Sequence, residues 1–175
     1  MAIIAVVLEK DFEDSEYSGP AEAFKNAGHI LVHIGLQENK SLRGKNHQVS
    51  VTTDTSFSDV NVSQYDALFI PGGYSPDRLR IDPKAVSFVE QFVTSNKPVF
   101  AICHAPQLLI TANVLKGRTV TGWKSIIQDI KNAGATFVDK EVVKDGNLIS
   151  SRSPEDIPAF NNACLNMLKE ISSTH

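Results

Sequence analysis

The sequence predicts an α/β domain in which a mostly parallel sheet carries helices on both faces. Three observations predict it. Apolar runs at residues 2–8, 30–36, 67–70 and 99–102 are largely continuous rather than alternating, as in strands covered on both sides. Segments with helical spacing of apolar residues separate these runs. The chain has 175 residues, 42% hydrophobic and 21% charged, which suits one soluble domain that buries a core without disulfide or metal staples.

The elements follow in chain order. Residues 2–8 form the first buried strand. Gly19 is read as an N-cap, Pro20 as the first helical residue and Glu22 as the partner that closes a capping box. That helix stops at Gly28, where glycine accepts a left-handed cap. Residues 30–36 form a second strand, and residues 49–53 a shorter alternating one on an edge or in a side hairpin. Ala67–Ile70 is again a buried strand, stopped by Pro71-Gly72-Gly73. Asp82-Pro83 opens a helix with Val86, Val89, Phe92 and Val93 toward the core, and Asn96-Lys97-Pro98 closes it. Val99–Ile102 runs into Cys103, and a helix beginning at Pro106 rises directly from it. Residues 119–121 are a further strand, residues 125–133 a helix ended by Gly134, and Asp145-Gly146 the turn of a hairpin. A last amphipathic helix, capped by Asp156, places Ile157, Phe160, Cys164, Leu168 and Ile171 on one stripe.

Charge and cysteine usage narrow the function. Seventeen basic against 20 acidic residues leave a net charge of −3, without the cationic footprint of a nucleic-acid binder. No apolar stretch approaches the roughly 20 residues of a membrane helix. The first apolar run lacks the basic leader and small-residue cleavage site of a signal peptide. Two distant cysteines do not make a secreted disulfide framework, so a cytoplasmic setting is expected. His29, His33, His47 and His175 show no ligand spacing with cysteines or acids, and no metal is expected.

In sheets of this class function gathers in the loops beyond the carboxyl ends of strands. Here those are the loops after Leu8, Ile70, Ile102 and Thr121. The first reads Glu9-Lys10-Asp11-Phe12-Glu13-Asp14, and four carboxylates in six residues would repel the phosphate of a flavin or nucleotide. The third reads Cys103-His104-Ala105-Pro106. A strand that turns sharply into a helix there presents Cys103 as on a nucleophile elbow. The helix N-terminus is expected to lower the thiol pKa below its usual ~8.5. His104 is placed to act as base or ion partner. The N–H groups of Gly73 and His104 are candidates for an oxyanion hole. Cys164, on the apolar stripe, reads as core.

Phe12-Glu13-Asp14, Ile70-Pro71-Gly72-Gly73, Ile102-Cys103-His104, Asn132-Ala133-Gly134-Ala135 and Ser151-Arg152-Ser153-Pro154-Glu155-Asp156 together resemble the ThiJ/PfpI family. The motifs stand in order over nearly the whole chain. The resemblance implies a single flavodoxin-like three-layer domain over residues 1–175, akin to class I glutamine amidotransferases, with no cofactor. It implies Cys103 as nucleophile, Glu13 donating from a protonated carboxyl to the sulfur, and His104 as third catalytic group. Gly73 and His104 would bind the oxyanion. Asp77 matches the carboxylate that reaches His104 from a neighbouring subunit, which implies a homo-oligomer, dimer or hexamer. Ala105 replaces a usual glycine and Trp123 a smaller or phenolic residue; with Pro106 they are expected to line and narrow the pocket. A glutaminase would need a distal histidine–glutamate pair, and only His175 stands late in the chain. The reading is a cysteine-dependent stress-protection enzyme acting on reactive carbonyls, of glyoxalase III or deglycase type. The alternatives are a PfpI-type intracellular cysteine peptidase and a redox sensor or holdase that uses Cys103 oxidation.

Overall fold

The structure is a computed structural model and describes residues 1–173. The chain runs through β1 (Ile3–Val7), α1 (Asp14–Asn26), β2 (Ile30–Gly35), β3 (Ser41–Arg43), β4 (Ser50–Thr52) and β5 (Thr55–Ser56). It continues with β6 (Ala67–Ile70), α2 (Ser75–Leu79), α3 (Pro83–Thr94), β7 (Val99–Ile102), α4 (Pro106–Thr111) and β8 (Thr119–Val120). Then come α5 (Ile127–Asn132), β9 (Thr136–Phe137), β10 (Val143–Asp145), β11 (Leu148–Ser151) and α6 (Ile157–Ser173).

The continuous apolar runs form a sheet ordered β10-β11-β7-β6-β1-β2-β5. Every pairing in it is parallel except that of β10 with β11. β1, β6 and β7 are almost wholly buried because each face of the sheet has its own apolar layer. On one side Val7, Leu68, Ile70 and Ala101 pack with Phe88, Phe92 and Leu108. On the other Ile4, Val6, Phe69 and Phe100 pack with Phe24, Phe160, Cys164 and Leu168. The fold is therefore the expected three-layer α/β arrangement. No helix among the described residues is long and apolar enough to cross a membrane.

The expected start of the first helix is corrected, while the last helix begins at Ile157, directly after Asp156 as expected. The first helix begins five residues before Gly19, with Glu13 as N-cap: its carboxylate accepts from Glu16 N–H at 3.0 Å. Pro20 lies inside that helix rather than at its start. A proline there removes the N–H that would reach the Glu16 carbonyl, while a carboxylate cap at Glu13, six residues ahead of Gly19, satisfies the helix start. Gly19 is needed for packing instead, since a Cβ on it would meet Ile157 Cγ2 at 2.9 Å. Asp156 ends a short 3₁₀ turn (Pro154–Asp156), and its carboxylate takes the Arg152 backbone N–H at 2.8 Å and the Arg152 guanidinium at 2.9 Å. The expected strand at residues 49–53 is β4, which pairs with β3 in a side hairpin.

Candidate active site

β1, β6 and β7 all end at one edge of the sheet, so the loops after Leu8, Ile70 and Ile102 converge there. Cys103 follows β7 with φ 64°, the left-handed region that costs a non-glycine residue about 1–3 kcal/mol. Its backbone is clamped on both sides. Cys103 N–H donates to Ser151 O at 2.9 Å, and Cys103 O accepts from Trp123 N–H at 2.8 Å. Gly122 permits the second contact, because a Cβ on it would stand 3.0 Å from Cys103 O. Ala105 has φ −54°, so its departure from glycine strains nothing.

The carboxyl beside the sulfur belongs to Glu16, not Glu13. Glu16 is fully buried against the Cys103 thiol and the Gly72 N–H, yet neither of its oxygens closes a hydrogen bond of regular geometry among the described residues. Gly72 leaves the room for this meeting. A Cβ there would overlap the Glu16 carboxyl and lie 3.0 Å from the Cys103 Cβ. Glu13 is occupied elsewhere: besides capping α1 it accepts from Ser15 Oγ, and from Asn46 Nδ2 at 3.0 Å. The reason is helical phase. Glu13 stands at the cap and Glu16 at the third helical position, where a capping-box glutamate would fold back to the cap. Here it turns inward to the elbow.

Burial pushes the Glu16 carboxyl up to about 8, and the Glu13 charge adds to the effect. Burial also pushes the Cys103 thiol up, reinforced by the Glu16 charge; the His104 N–H and the Lys45 ammonium pull the other way. The expectation that the helix N-terminus lowers the thiol is thus corrected. α4 spans only six residues, and desolvation of the sulfur outweighs the pull of the backbone N–H groups at its start, of which the His104 N–H is felt. Glu16 and Cys103 act on each other: the Glu16 charge and the irregular hydrogen bond between them keep the thiol protonated, and the same hydrogen bond works against burial at the carboxyl.

His104 completes the cluster. Its Nδ1 lies 3.5 Å from Cys103 Sγ and its Nε2 lies 3.4 Å from Ser125 Oγ. Burial and the Lys45 charge hold its pKa down while Asp77 pulls it up. Asp77 is exposed on α2. Gly73 sits opposite Phe12 in an isolated bridge flanked by Glu13 N–H to Gly72 O at 3.2 Å and Tyr74 N–H to Asp11 O at 2.8 Å. That pattern puts Gly73 at the non-hydrogen-bonded position and leaves its N–H uncommitted to the bridge.

The three pocket candidates separate. Trp123 stacks obliquely near the His104 ring, centroids 6.5 Å apart, and walls a cavity of about 270 Å³ shared with Lys124, Phe137, Arg152 and Glu155. Ala105 is fully buried in the apolar cluster below α4, so its methyl narrows nothing. Pro106 is buried at the start of α4, beneath Gly122. Sequence reasoning missed Glu16, Lys45 and Ser125. A helix start placed at Asp14 would have found the first; the other two come from segments with no motif of their own.

A family model described as DJ-1/PfpI matches residues 2–167. The chain is 55% identical over 168 residues to General stress protein 18 of Bacillus subtilis, covering 95% of this chain and 98% of that protein. It is 52% identical over 166 residues to Protein/nucleic acid deglycase 2 of Escherichia coli, covering 94% and 96%. Among solved structures it is similar to a two-domain Anabaena variabilis protein with DJ-1/ThiJ/PfpI-like and ferritin-like domains, with a TM-score of 0.94 and 38% identity. That match takes in 97% of this chain but 48% of the longer protein, about half its length. By sequence and by fold alike, the chain belongs to the DJ-1/PfpI family.

Proposed function

We propose that residues 1–175 act as one cytoplasmic, cofactor-independent enzyme that removes reactive α-oxoaldehydes or their adducts on amines, through Cys103. The observation that carries the reading is the meeting of Cys103 Sγ with the His104 ring at 3.5 Å and the buried Glu16 carboxyl at a strained turn. The name of the E. coli relative, a protein and nucleic acid deglycase, supports the same chemistry.

The groups divide the work as follows. A histidine held neutral accepts a proton at neutral pH. With the ring proton on Nε2, facing Ser125 Oγ, Nδ1 offers its lone pair to the thiol. As Sγ bonds to the aldehyde carbon, the carbonyl π bond breaks and the thiol proton passes to Nδ1. The new alkoxide is bound by the N–H groups of Gly73 and His104 and takes that proton back, giving a hemithioacetal. Moving the C1 proton to C2 and the O1 hydroxyl proton to O2, by way of an ene-diol with the His104 ring relaying the protons, turns the hemithioacetal of an α-oxoaldehyde into a thioester. Water then releases the hydroxy acid and restores the thiol. A carboxyl that titrates near 8 is neutral at pH 7, so Glu16 donates to the sulfur instead of repelling it. Asp77, exposed on α2, acts by charge on His104 of its own chain, and a homo-oligomer contact on that face would bring it to a neighbouring site as well.

The test is wild type against Cys103→Ala, each assayed with methylglyoxal, a glycated peptide and a fluorogenic peptide. We expect hydroxy acid or deglycated peptide from the wild type alone. Equal turnover by the variant overturns the reading, and cleavage of the fluorogenic peptide alone transfers it to a peptidase.

A further inference from the structure

The turn at residues 44–49, between β3 and β4, is fastened to the start of α1 far more firmly than an ordinary surface turn. Asp11 N–H donates to Arg43 O and Lys45 N–H to Phe12 O, each at 2.8 Å. The Asp14 carboxylate, 1% exposed, accepts the backbone N–H groups of Asn46, Gln48 and Val49 at 2.8, 3.0 and 2.9 Å. Glu13 takes the Asn46 side chain at 3.0 Å. Gly44 has no room for a Cβ, which would overlap the Asp14 carboxylate. Glu13, to which the family resemblance gave a catalytic role, and its neighbour Asp14 are thus a staple for a hairpin.

What the staple holds in place is Lys45. Its backbone is tied to Phe12, directly opposite Gly73 in the bridge, and its Nζ stands 6.0 Å from the centroid of the exposed Tyr74 ring. We propose that Lys45 supplies the positive charge at the mouth of the site, stabilising negative charge at Cys103 and drawing anionic electrophiles to it. Its charge acts on Glu16, Cys103 and His104 alike. The other charges nearby do not replace it: Arg78 is paired with Asp11 at 2.6 Å, Arg152 is paired with Asp156 and Asp139, Lys124 stands over the Trp123 ring at 5.2 Å, and Asp77 is negative. The proposal rests on the reading of Cys103 as the reactive group and names the substrates it favours, α-oxo compounds that carry a negative charge.

Stoichiometric alkylation tests this without any turnover. Second-order rates for iodoacetate and iodoacetamide at Cys103 are compared in wild type, Lys45→Met and Lys45→Arg at low ionic strength, with modification located by mass spectrometry. The anionic to neutral rate ratio is expected to fall about fivefold in Lys45→Met, to stay within twofold in Lys45→Arg, and to fall with added salt in the wild type. A Lys45→Met ratio within twofold of wild type overturns the proposal, even if both rates drop together. So does an equal loss in Lys45→Arg. A wild type that consumes no aldehyde yet shows the charge-dependent ratio would defeat the enzymatic reading and leave Lys45 in its role.

Discussion

The two cysteines of this chain are almost equally hidden, Cys103 7% exposed and Cys164 not at all, and burial pushes both thiols up. They differ in what surrounds the sulfur. Cys164 lies on α6 in an apolar cluster with Phe160 and Leu168, and desolvation alone acts on it. Cys103 sits at a left-handed turn, against a carboxyl, an imidazole and a backbone N–H, with an ammonium acting from the mouth. Exposure does not separate the thiol proposed to react from the one that packs in the core. The difference lies in neighbours that give and take a proton.

The sharpest way to break this comparison is to truncate each sulfur. Cys103→Ala should lower aldehyde turnover by at least about 10³-fold, the loss expected when a nucleophile is removed. Cys164→Ala should keep turnover within twofold and cost about 1 kcal/mol in urea unfolding, from lost apolar contact. Loss of turnover by a folded Cys164→Ala protein would erase the distinction. Mild peroxide followed by peptide mapping gives a second view: oxygen should add at Cys103 and spare Cys164 until the protein is unfolded.

Glu16 is the next neighbour to remove. The wild type should lose activity along an alkaline limb as pH rises through about 8, and Glu16→Gln should cut kcat/KM by about 10–100-fold and abolish that limb. The sign of its stability effect is opposite. Between the unfolded carboxyl value near 4.3 and the folded value, the native protein keeps a proton that the unfolded chain has released, so stability falls as pH rises across that window. A glutamine cannot ionise. Glu16→Gln should therefore be the more stable protein at pH 8, measured by thermal unfolding, while being the weaker catalyst. A variant less stable than wild type at that pH would mean that Glu16 is not held protonated.

How far the site was legible depends on which physical link carried each residue. The strand runs and the turns at Gly28, Gly134 and Asp145-Gly146 follow from local chemistry, and the structure has them where the sequence puts them. Cys103 and His104 were legible because a buried strand that breaks into Cys-His-Ala-Pro leaves few conformations. Glu13 was mistaken for Glu16 because Gly19-Pro20 is a strong local signal for a helix start, and tertiary packing against Ile157 overrides it. Three residues of phase then decide which acid caps and which faces the sulfur. Lys45 and Ser125 were not legible, since both reach the site through long-range packing: one on a hairpin stapled by Asp14, the other on the turn after Trp123.

Ser125 gives the smallest and most discriminating prediction. Its Oγ faces His104 Nε2 at 3.4 Å, long for a hydrogen bond, so its contribution belongs at the low end of the range for neutral pairs. Ser125→Ala should lower kcat/KM about two- to fivefold, with little change in stability because Ser125 is exposed. A positioning role through the ring predicts more than a small loss. If Ser125 acts by keeping the proton on Nε2, the same substitution should cost nothing further once His104 is alanine, because no ring remains to orient. An undiminished loss in the His104→Ala background would place Ser125 in contact with substrate instead. The difference between Cys103 and Cys164 would then extend beyond the groups that touch the sulfur only as far as His104 itself.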